Sequence, residues 1–368
     1  MSKKVAHLTS VHARHDIRIL LKECSSLVKA GYDVSLVVAD GLGNEVKNGI
    51  NIHDVGLENS RLSRVLNTTK SIYKKAIELD ADLYHFHDPE MINVGLKLKK
   101  NGKKVIFDSH EDFASDLLTK SYLPVLVRYP MSIAFRLYDY IVCNKFDTIV
   151  TATKAISEIY KKRGCKTVVI NNYPIIEELS VAPVKRENIA CFVGAQTPIR
   201  GIKELVDAID LVDDGLLYLA GPIVNQEFKQ ELEALPGWSK VVDLGIISRS
   251  EVANLLAKSA VGLVTYLPAP NHIDAQPNKL FEYMSVGLPV IASYFPLWKE
   301  IVEENNCGVC VDPNNSEEIA NKMKYFFNHN KEIEEMGKNG ILAVETTYNW
   351  LVEESKLVAL YERLLRDD

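Results

Sequence analysis

The chain has 368 residues, 47% of them hydrophobic and 25% charged, with a formal net charge of −6. That length suits two domains, the apolar content excludes a disordered chain, and the acidic balance argues against a general nucleic-acid binder. Six cysteines are scattered along it, and although Cys307 and Cys310 have CxxC spacing, no second pair or nearby histidine completes a zinc site, so a reducing cytoplasm is expected.

No N-terminal signal pattern precedes the first strand-like run. In chain order, strands are predicted at Val5–Thr9, Val34–Ala39, Leu83–His87, Val105–Asp108, Thr148–Thr151 and Thr167–Ile170. Amphipathic helical patterns such as Ile17–Ala30 and Val65–Leu79 lie between them. A second series restarts at Ala190–Val193 and continues through Leu216–Ala220, Val241–Leu244, Gly262–Thr265, Val290–Ala292 and Val309–Val311. Strands alternating with helices imply parallel sheets with crossover helices, and two series imply two doubly wound domains. The seam falls in Asn171–Asn188, which holds Pro174 and Pro183, and a last helix spans about Trp350–Leu365. Lys120–Asn144 mixes apolar and aromatic residues with Lys120, Arg128 and Arg136. Arg128, Arg136 and Asp139 interrupt its apolar run too often for a spanning helix. Two readings remain for it: contact with an anionic membrane surface, or a buried interdomain helix.

The densest chemistry lies in DAQPNKLFEYMSVGLPVIAS, which starts at Asp274. It predicts a loop, a helix from about Pro277, and a buried strand. Proline suits the first turn of a helix, where its missing N–H has no partner to lose. Asp274 before the helix and Glu282 in its second turn reach opposite ends of one polyhydroxylated ligand. The free N–H groups of the helix start face that ligand's anionic middle. A nucleotide sugar has this layout. Further upstream, Gly194 permits a tight turn after a strand, and a helix starting near Gly201 offers its N-terminus to phosphate. Arg200 supplies a planar fork for a diphosphate, whereas Lys203 reads as a solvated helix residue. In the first half, His12, Arg14, Asp16 and Arg18 form a polar loop after the first strand, suited to an anionic or hydroxyl-rich acceptor. No GxGxxG follows that strand, which disfavours a dinucleotide dehydrogenase. His85 and His87 share one side of an extended strand, and with Asp88 and Glu90 they have the composition of a metal site. The other readings are an acceptor site for His87 and Asp88, or Asp88 as a helix cap.

These segments resemble the retaining, family-4-type (group 1) glycosyltransferases with the two-domain GT-B fold. The family's acidic-x7-Glu signature, usually Glu-Gly-Phe-Gly, four residues, then Glu-Ala, is matched by Asp274 and Glu282, with Ala275-Gln276-Pro277 in place of the glycine turn. The resemblance implies that Glu282 holds the ribose hydroxyls and Asp274 the donor sugar. The segment Cys191–Leu205 is similar to Val-Gly-Arg…Lys-Gly-x-x-x-Leu, with Arg200-Gly201 replacing Lys-Gly. The family's other basic residue falls on Ala195, and Lys279 is the candidate replacement. Leu219–Pro222 resembles a reduced Gly-x-Gly-Pro turn, and Asp243–Ser248 the segment whose backbone meets the base, so Ile246 and Ile247 are implied to flank it. Phe107–Asp112 resembles the segment whose histidine lies by the reacting sugar, which maps to His110. Many relatives have a Gly-Gly turn after the first strand; this chain has none.

The expected architecture is α/β, two doubly wound Rossmann-like domains facing across a cleft. Residues 1–175 would bind acceptor, 186–347 the nucleotide sugar, and 348–368 would pack a helix back on the first domain. The implied reaction moves a sugar from a UDP- or GDP-sugar to a glycan or polyprenyl-diphosphate-linked acceptor hydroxyl, with retention, in bacterial surface polysaccharide synthesis. Catalytic roles fall on His110, Asp274 and Glu282. Donor binding falls on Gly194, Arg200, Ile246, Ile247, Asn278, Lys279 and Glu282, and the acceptor side on His12, Arg14, His87 and Asp88. The leaving diphosphate accepts the acceptor's proton, so positioning and charge stabilisation dominate. A double displacement through Glu111 or Asp112 is the competing mechanism. No metal, cofactor or nucleic-acid partner is expected, and the protein is expected in the cytoplasm, with peripheral membrane contact left open. The rival functions are a non-hydrolysing nucleotide-sugar 2-epimerase and a non-catalytic nucleotide-sugar-binding subunit.

Overall fold

A computed structural model describes residues 2–366 except 59, 61–62, 111–112, 120–123, 180–183 and 270–271. Glu111, Asp112, Lys120 and Pro183 therefore lie outside the described residues. The chain divides into two compact units, residues 1–172 with 350–368, and residues 173–349.

The first unit is built on an eight-stranded sheet in the order β3-β4-β2-β1-β5-β6-β7-β8. Its strands are β1 (Lys4–Leu8), β2 (Asp33–Val38), β3 (Glu45–Lys47), β4 (Ile50–Asp54), β5 (Leu83–Phe86), β6 (Lys104–Ser109), β7 (Thr148–Thr151) and β8 (Thr167–Val169). Every pairing is parallel except β3 with β4. The inner strands β5 and β7 are buried along their whole length, as a sheet covered on both faces requires. The predicted strands are all present, but the β3–β4 hairpin is an addition. Its loop is Asn48-Gly49, with φ of 53° and 78°, the left-handed pair of a type I′ turn. The Asn-Gly dipeptide was the signal for it.

The predicted first helix begins as a π-helix, Ile17–Cys24, and runs on as α1 (Ser25–Lys29). Bonds from i to i+5 stack residues five apart, so Arg18 comes to face Glu23. The second predicted helix likewise opens with a π turn, Arg64–Thr68, before α2 (Thr69–Leu79). Then follow α3 (Ile92–Lys100), α4 (Phe113–Thr119), α5 (Val125–Val142) and α6 (Lys154–Lys161). Among the described residues no helix is long and apolar enough to cross a membrane. Helix α5 carries Pro130 and an exposed apolar stripe: Leu126 is 90% exposed, and Ile133, Leu137 and Ile141 about 60% each.

The second unit has a six-stranded, all-parallel sheet in the order β11-β10-β9-β12-β13-β14. Its strands are β9 (Glu187–Val193), β10 (Leu216–Ala220), β11 (Val241–Gly245), β12 (Ser259–Val264), β13 (Val290–Ser293) and β14 (Gly308–Val311). Its helices are α7 (Ile202–Asp210), α8 (Gln226–Glu233), α9 (Arg249–Lys258), α10 (Asn278–Ser285), α11 (Pro296–Val302), α12 (Ser316–Asn328) and α13 (Asn330–Thr346). Arg186 staples this unit by donating to the carbonyls of Leu256, Ser259, Val286 and Gly287 around the ends of α9 and α10. Tyr173 belongs here, because its ring meets Phe281 and Tyr348 edge-on at 4.7 and 5.4 Å.

The last helix, α14 (Trp350–Leu365), belongs to the first unit. Trp350 Nε1 donates to Ser26 Oγ (2.9 Å), and the wholly buried Glu353 accepts from the backbone N–H of Asn171 (3.0 Å). Two buried polar contacts thus fix the helix where hydrophobic packing alone would let it slide.

Candidate active site

Each sheet has one point where the strand order reverses. In the first it lies between β1 and β5, in the second between β9 and β12. Loops leaving the carboxyl ends of such strands diverge and leave a crevice, which is where doubly wound sheets bind ligands. The sequence-predicted site residues fall on these loops or on those beside them.

In the second unit the loop after β9 turns on Gly194, whose φ is +134°. A Cβ there would stand 2.8 Å from Lys279 Nζ and 3.4 Å from an Arg200 Nη, so Gly194, Arg200 and Lys279 come together although 85 residues separate the first from the last. Gly221, at the end of β10, backs the same turn: a Cβ on it would lie 2.2 Å from Gly194 O. Lys279 sits in the first turn of α10, with its ammonium 3.5 Å from the ring centre of Phe192 and 5.2 Å from that of Tyr266. Its Nζ is buried and has no hydrogen-bond partner. Burial, and then the nearby Arg200, hold its pKa well below the ordinary lysine value, against the pull of Glu282. Ring faces offset the burial of its charge only in part. Helix α10 has Pro277 at its N-cap and no side-chain cap, which leaves the N–H of Asn278 and of Lys279 open.

On loops of the same unit, Thr197 Oγ1, Thr265 Oγ1 and Gln276 Oε1 are also buried without hydrogen bonds. Sequence reasoning missed all three, because threonine and glutamine in loops carry no motif. Glu282 is partly buried and ion-paired with Arg249 Nη1 at 3.0 Å, a partner not foreseen. Asp274 is exposed in the turn before α10, and that turn is pinned where Trp298 Nε1 donates to Ala275 O (2.7 Å). Ile246 is 80% exposed after β11, whereas Ile247 packs partly against the core. Ser248 caps α9 in a reciprocal capping box with Glu251. Tyr283 fixes the end of β9 by accepting from Val193 N–H (2.9 Å).

In the first unit the polar residues bind each other. Asp88 accepts from Ser10 N–H (2.6 Å) and the hydroxyls of Thr9 (2.9 Å) and Ser10 (3.2 Å). It ties down the loop after β1 and does not cap the turn at Pro89, which corrects the capping expectation. Arg14 is buried in a bidentate pair with Asp40 (2.7 and 2.6 Å) and donates to Gly43 O, so the structure does not bring it to the other acceptor-side residues. His87 is buried, with Nε2 2.9 Å from His7 Nδ1 and Nδ1 3.3 Å from Asp108 Oδ2. His12 and His110 keep partial access, at 31% and 21% of their side-chain surface, with their rings 5.5 Å apart. The hydrogen bond to Asp16 raises the pKa of His12 against its burial. Burial lowers that of His110, although Asp108 opposes it. His110 is thus a neutral imidazole at neutral pH, and its Nε2 has no hydrogen-bond partner.

The comparisons with known proteins agree with this two-part layout. The sequence profile described as "Glycosyl transferases group 1" matches residues 176–342, and that described as "Glycosyltransferase Family 4" matches residues 18–173. An uncharacterized glycosyltransferase of Methanocaldococcus jannaschii is 29% identical over 160 residues, 42% of each chain, so the match spans less than half the length of that relative. The D-rhamnosyltransferase WbpZ of Pseudomonas aeruginosa is 24% identical over 291 residues, 74% of this chain and 71% of that one. Sucrose-phosphate synthase from Thermosynechococcus elongatus matches with a TM-score of 0.79 at 16% identity, over 98% of this chain and 99% of that one. Anabaena HepE, solved in complex with UDP-glucose, matches with a TM-score of 0.75 at 16% identity, over 98% and 99%. Such identities speak for the fold alone. With two adjoining family profiles and two parallel α/β units of GT-B type, the chain belongs to the group 1, family 4 glycosyltransferases.

Proposed function

We propose that this glycosyltransferase moves a sugar, with retention, from a UDP- or GDP-sugar to a glycan or polyprenyl-diphosphate-linked acceptor, in the assembly of a bacterial surface polysaccharide. The observation that carries the donor assignment is the buried Lys279 Nζ, with no hydrogen-bond partner among the described residues, beside Arg200 at Gly194. A diphosphate there receives a bidentate guanidinium, an ammonium and the open N–H groups of α10. Glu282 takes the ribose hydroxyls, sharing its carboxylate with Arg249. Asp274, exposed at the turn, takes the sugar hydroxyls, and Ile246 lies against the base. HepE, a fold relative, binds UDP-glucose, which supports a nucleotide-sugar donor.

As the glycosidic bond to the donor breaks, negative charge grows on the departing diphosphate, and Arg200 and Lys279 stabilise it. The acceptor's proton passes to a diphosphate oxygen on the face the group leaves. His110, neutral and with a free Nε2, positions a hydroxyl of sugar or acceptor. The exposed Leu126–Ile141 stripe of α5, flanked by Arg128 and Arg136, supports peripheral contact with an anionic membrane carrying a lipid-linked acceptor.

The test is a thermal-shift series with UDP-, GDP-, ADP- and dTDP-sugars, and NAD as control. A ligand that binds only the folded state raises the melting temperature, by an amount equivalent to about 2.7 kcal/mol at a hundredfold excess over Kd. One base class is expected to stabilise the wild type and to lose most of that effect in Lys279→Met. Stabilisation by NAD alone, or a shift indifferent to Lys279→Met, rejects the donor site.

A further inference from the structure

Beneath the carboxyl ends of β1 and β5 lies a group of buried residues that sugar transfer does not use. His7 on β1 is the register partner of His85 on β5, and His87, two residues on, shares the same face. The π-helix Ile17–Cys24 carries Glu23 to this face. His7, Glu23 and His85 are 0% exposed and His87 2%. Glu23 Oε1 meets Arg18 at 3.0 Å, but Oε2 is buried without a hydrogen-bond partner. Oε2 stands 3.7 Å from His7 Nδ1, 3.8 Å from His85 Nδ1 and 3.9 Å from His87 Nε2. One ligating atom from each of the four residues lies within 4.8 Å of all the others.

The three Glu23 spacings are too long for hydrogen bonds and somewhat longer than those of ligands that share an ion, while His7 Nδ1 and His87 Nε2 stand at hydrogen-bond distance, 2.9 Å. With zinc–nitrogen and zinc–oxygen bonds of about 2.0–2.1 Å, the edges of a tetrahedron are roughly 3.3–3.4 Å. We propose that His7, Glu23, His85 and His87 form a buried, four-coordinate site for a divalent transition-metal ion of the zinc class. Outer contacts fit that role. His87 Nδ1 lies 3.3 Å from Asp108 Oδ2, the carboxylate–histidine arrangement that orients a ligating imidazole. His7 Nε2 lies 3.0 Å from the Tyr361 hydroxyl, and His85 Nδ1 exchanges its contact with that hydroxyl (2.9 Å) for the ion. Asp108 itself is held by both ends of the Arg18 fork (3.1 and 3.2 Å) and stays in the outer layer. The ion takes the place of the proton between His7 Nδ1 and His87 Nε2, which moves to the outer nitrogen of its ring, His7 Nε2 facing Tyr361 or His87 Nδ1 facing Asp108, so that each imidazole stays neutral and offers a lone pair to the ion.

Four protein ligands leave no open position, so the ion is structural. It clamps β1, β5 and the first helix together below His110. The set differs from the one the HxH run suggested, since Asp88 and Glu90 serve Ser10 and His7 and Glu23 take their places.

The full chain is unfolded with chelator and refolded with Zn2+ or Co2+. About one equivalent of metal is expected to survive desalting. Co2+ should give the intense visible bands of tetrahedral coordination, and either metal should raise the melting temperature over the chelator-treated protein. Glu23→Gln should weaken Co2+ binding tenfold or more, while His53→Gln, outside the group, should leave it unchanged. No retained metal, an octahedral Co2+ spectrum, or wild-type affinity in Glu23→Gln overturns the proposal in favour of a hydrogen-bonded chain of neutral imidazoles. If Glu23→Gln does not refold, the stoichiometry and spectrum of the unmodified chain decide alone. Donor binding enters none of these readouts.

Discussion

The two reversal points of the two sheets differ in which polar residues are paired: in the first the loop residues are, in the second several are not. In the first unit the charges close on one another: Arg14 on Asp40, Arg18 on Glu23 and Asp108, and Asp88 on the loop after β1. In the second unit Lys279 Nζ, Thr197 Oγ1, Thr265 Oγ1 and Gln276 Oε1 are buried and unpaired. Burying a polar group without a partner costs on the order of 1–3 kcal/mol each. These four groups lie on loops and the first turn of α10 in the second unit, and they are the ones that the proposed donor would supply with partners. In the first unit the paired groups Arg14, Asp40, Asp88 and Ser10 hold loops, whereas Glu23, His85 and His87 keep unpaired atoms in the core; His12 and His110 keep partial access to solvent.

The largest expected effect tests the closed side. Arg18→Leu leaves Asp108 and Glu23 without their counter-ion in the core, and urea unfolding should show a loss of about 3–5 kcal/mol. A loss well under 1 kcal/mol would mean that the carboxylates are neutralised by other means. On the open side, Lys279→Met should part stability from binding. Calorimetry should find nucleoside-diphosphate affinity at least tenfold weaker, while the melting temperature stays level or rises, because an unpaired buried ammonium has gone. Equal losses in both would make Lys279 a structural residue. Glu282→Ala should weaken donor binding or turnover about tenfold, roughly 1.4 kcal/mol, and near-normal kinetics would remove it from the ribose position. His110→Ala should lower kcat more than donor affinity; an unchanged kcat takes His110 out of the site.

The smallest effect is a fraction of a proton. Burial lowers the Lys279 pKa in the free protein. Between that lowered value and the ordinary lysine value of about 10.4, the unfolded chain binds more protons than the folded one. Stability of the free protein therefore climbs with pH across this window and levels off above it. A bound diphosphate restores the charge, so donor binding takes up protons there. Titration calorimetry at about pH 9, in two buffers of different ionisation enthalpy, should show it. Equal heats in both would contradict a neutralised Lys279.

Much of this molecule was legible in advance, and the reasons are local. Strands such as Val290–Ala292 announce themselves by apolar runs between turn residues, and Gly194, Arg200 and Lys279 each sit at a strand end or helix start whose backbone groups suit phosphate. The β3–β4 hairpin was missed although Asn48-Gly49 marks it, because three-residue β3 is too short to show alternation. Arg14 and His87 looked like acceptor residues because sequence shows a polar side chain but not its partner.

The residue pattern by itself determined two doubly wound sheets, their carboxyl-end loops and the phosphate-suited residues on them, since these depend on short-range periodicity and turn chemistry. Only the tertiary structure decided which polar groups are satisfied. Parallel register sets His7 beside His85 across 78 residues, i to i+5 winding turns Glu23 under them, and the last helix brings Tyr361 into the same contact. Such meetings depend on distances in space that no local pattern encodes.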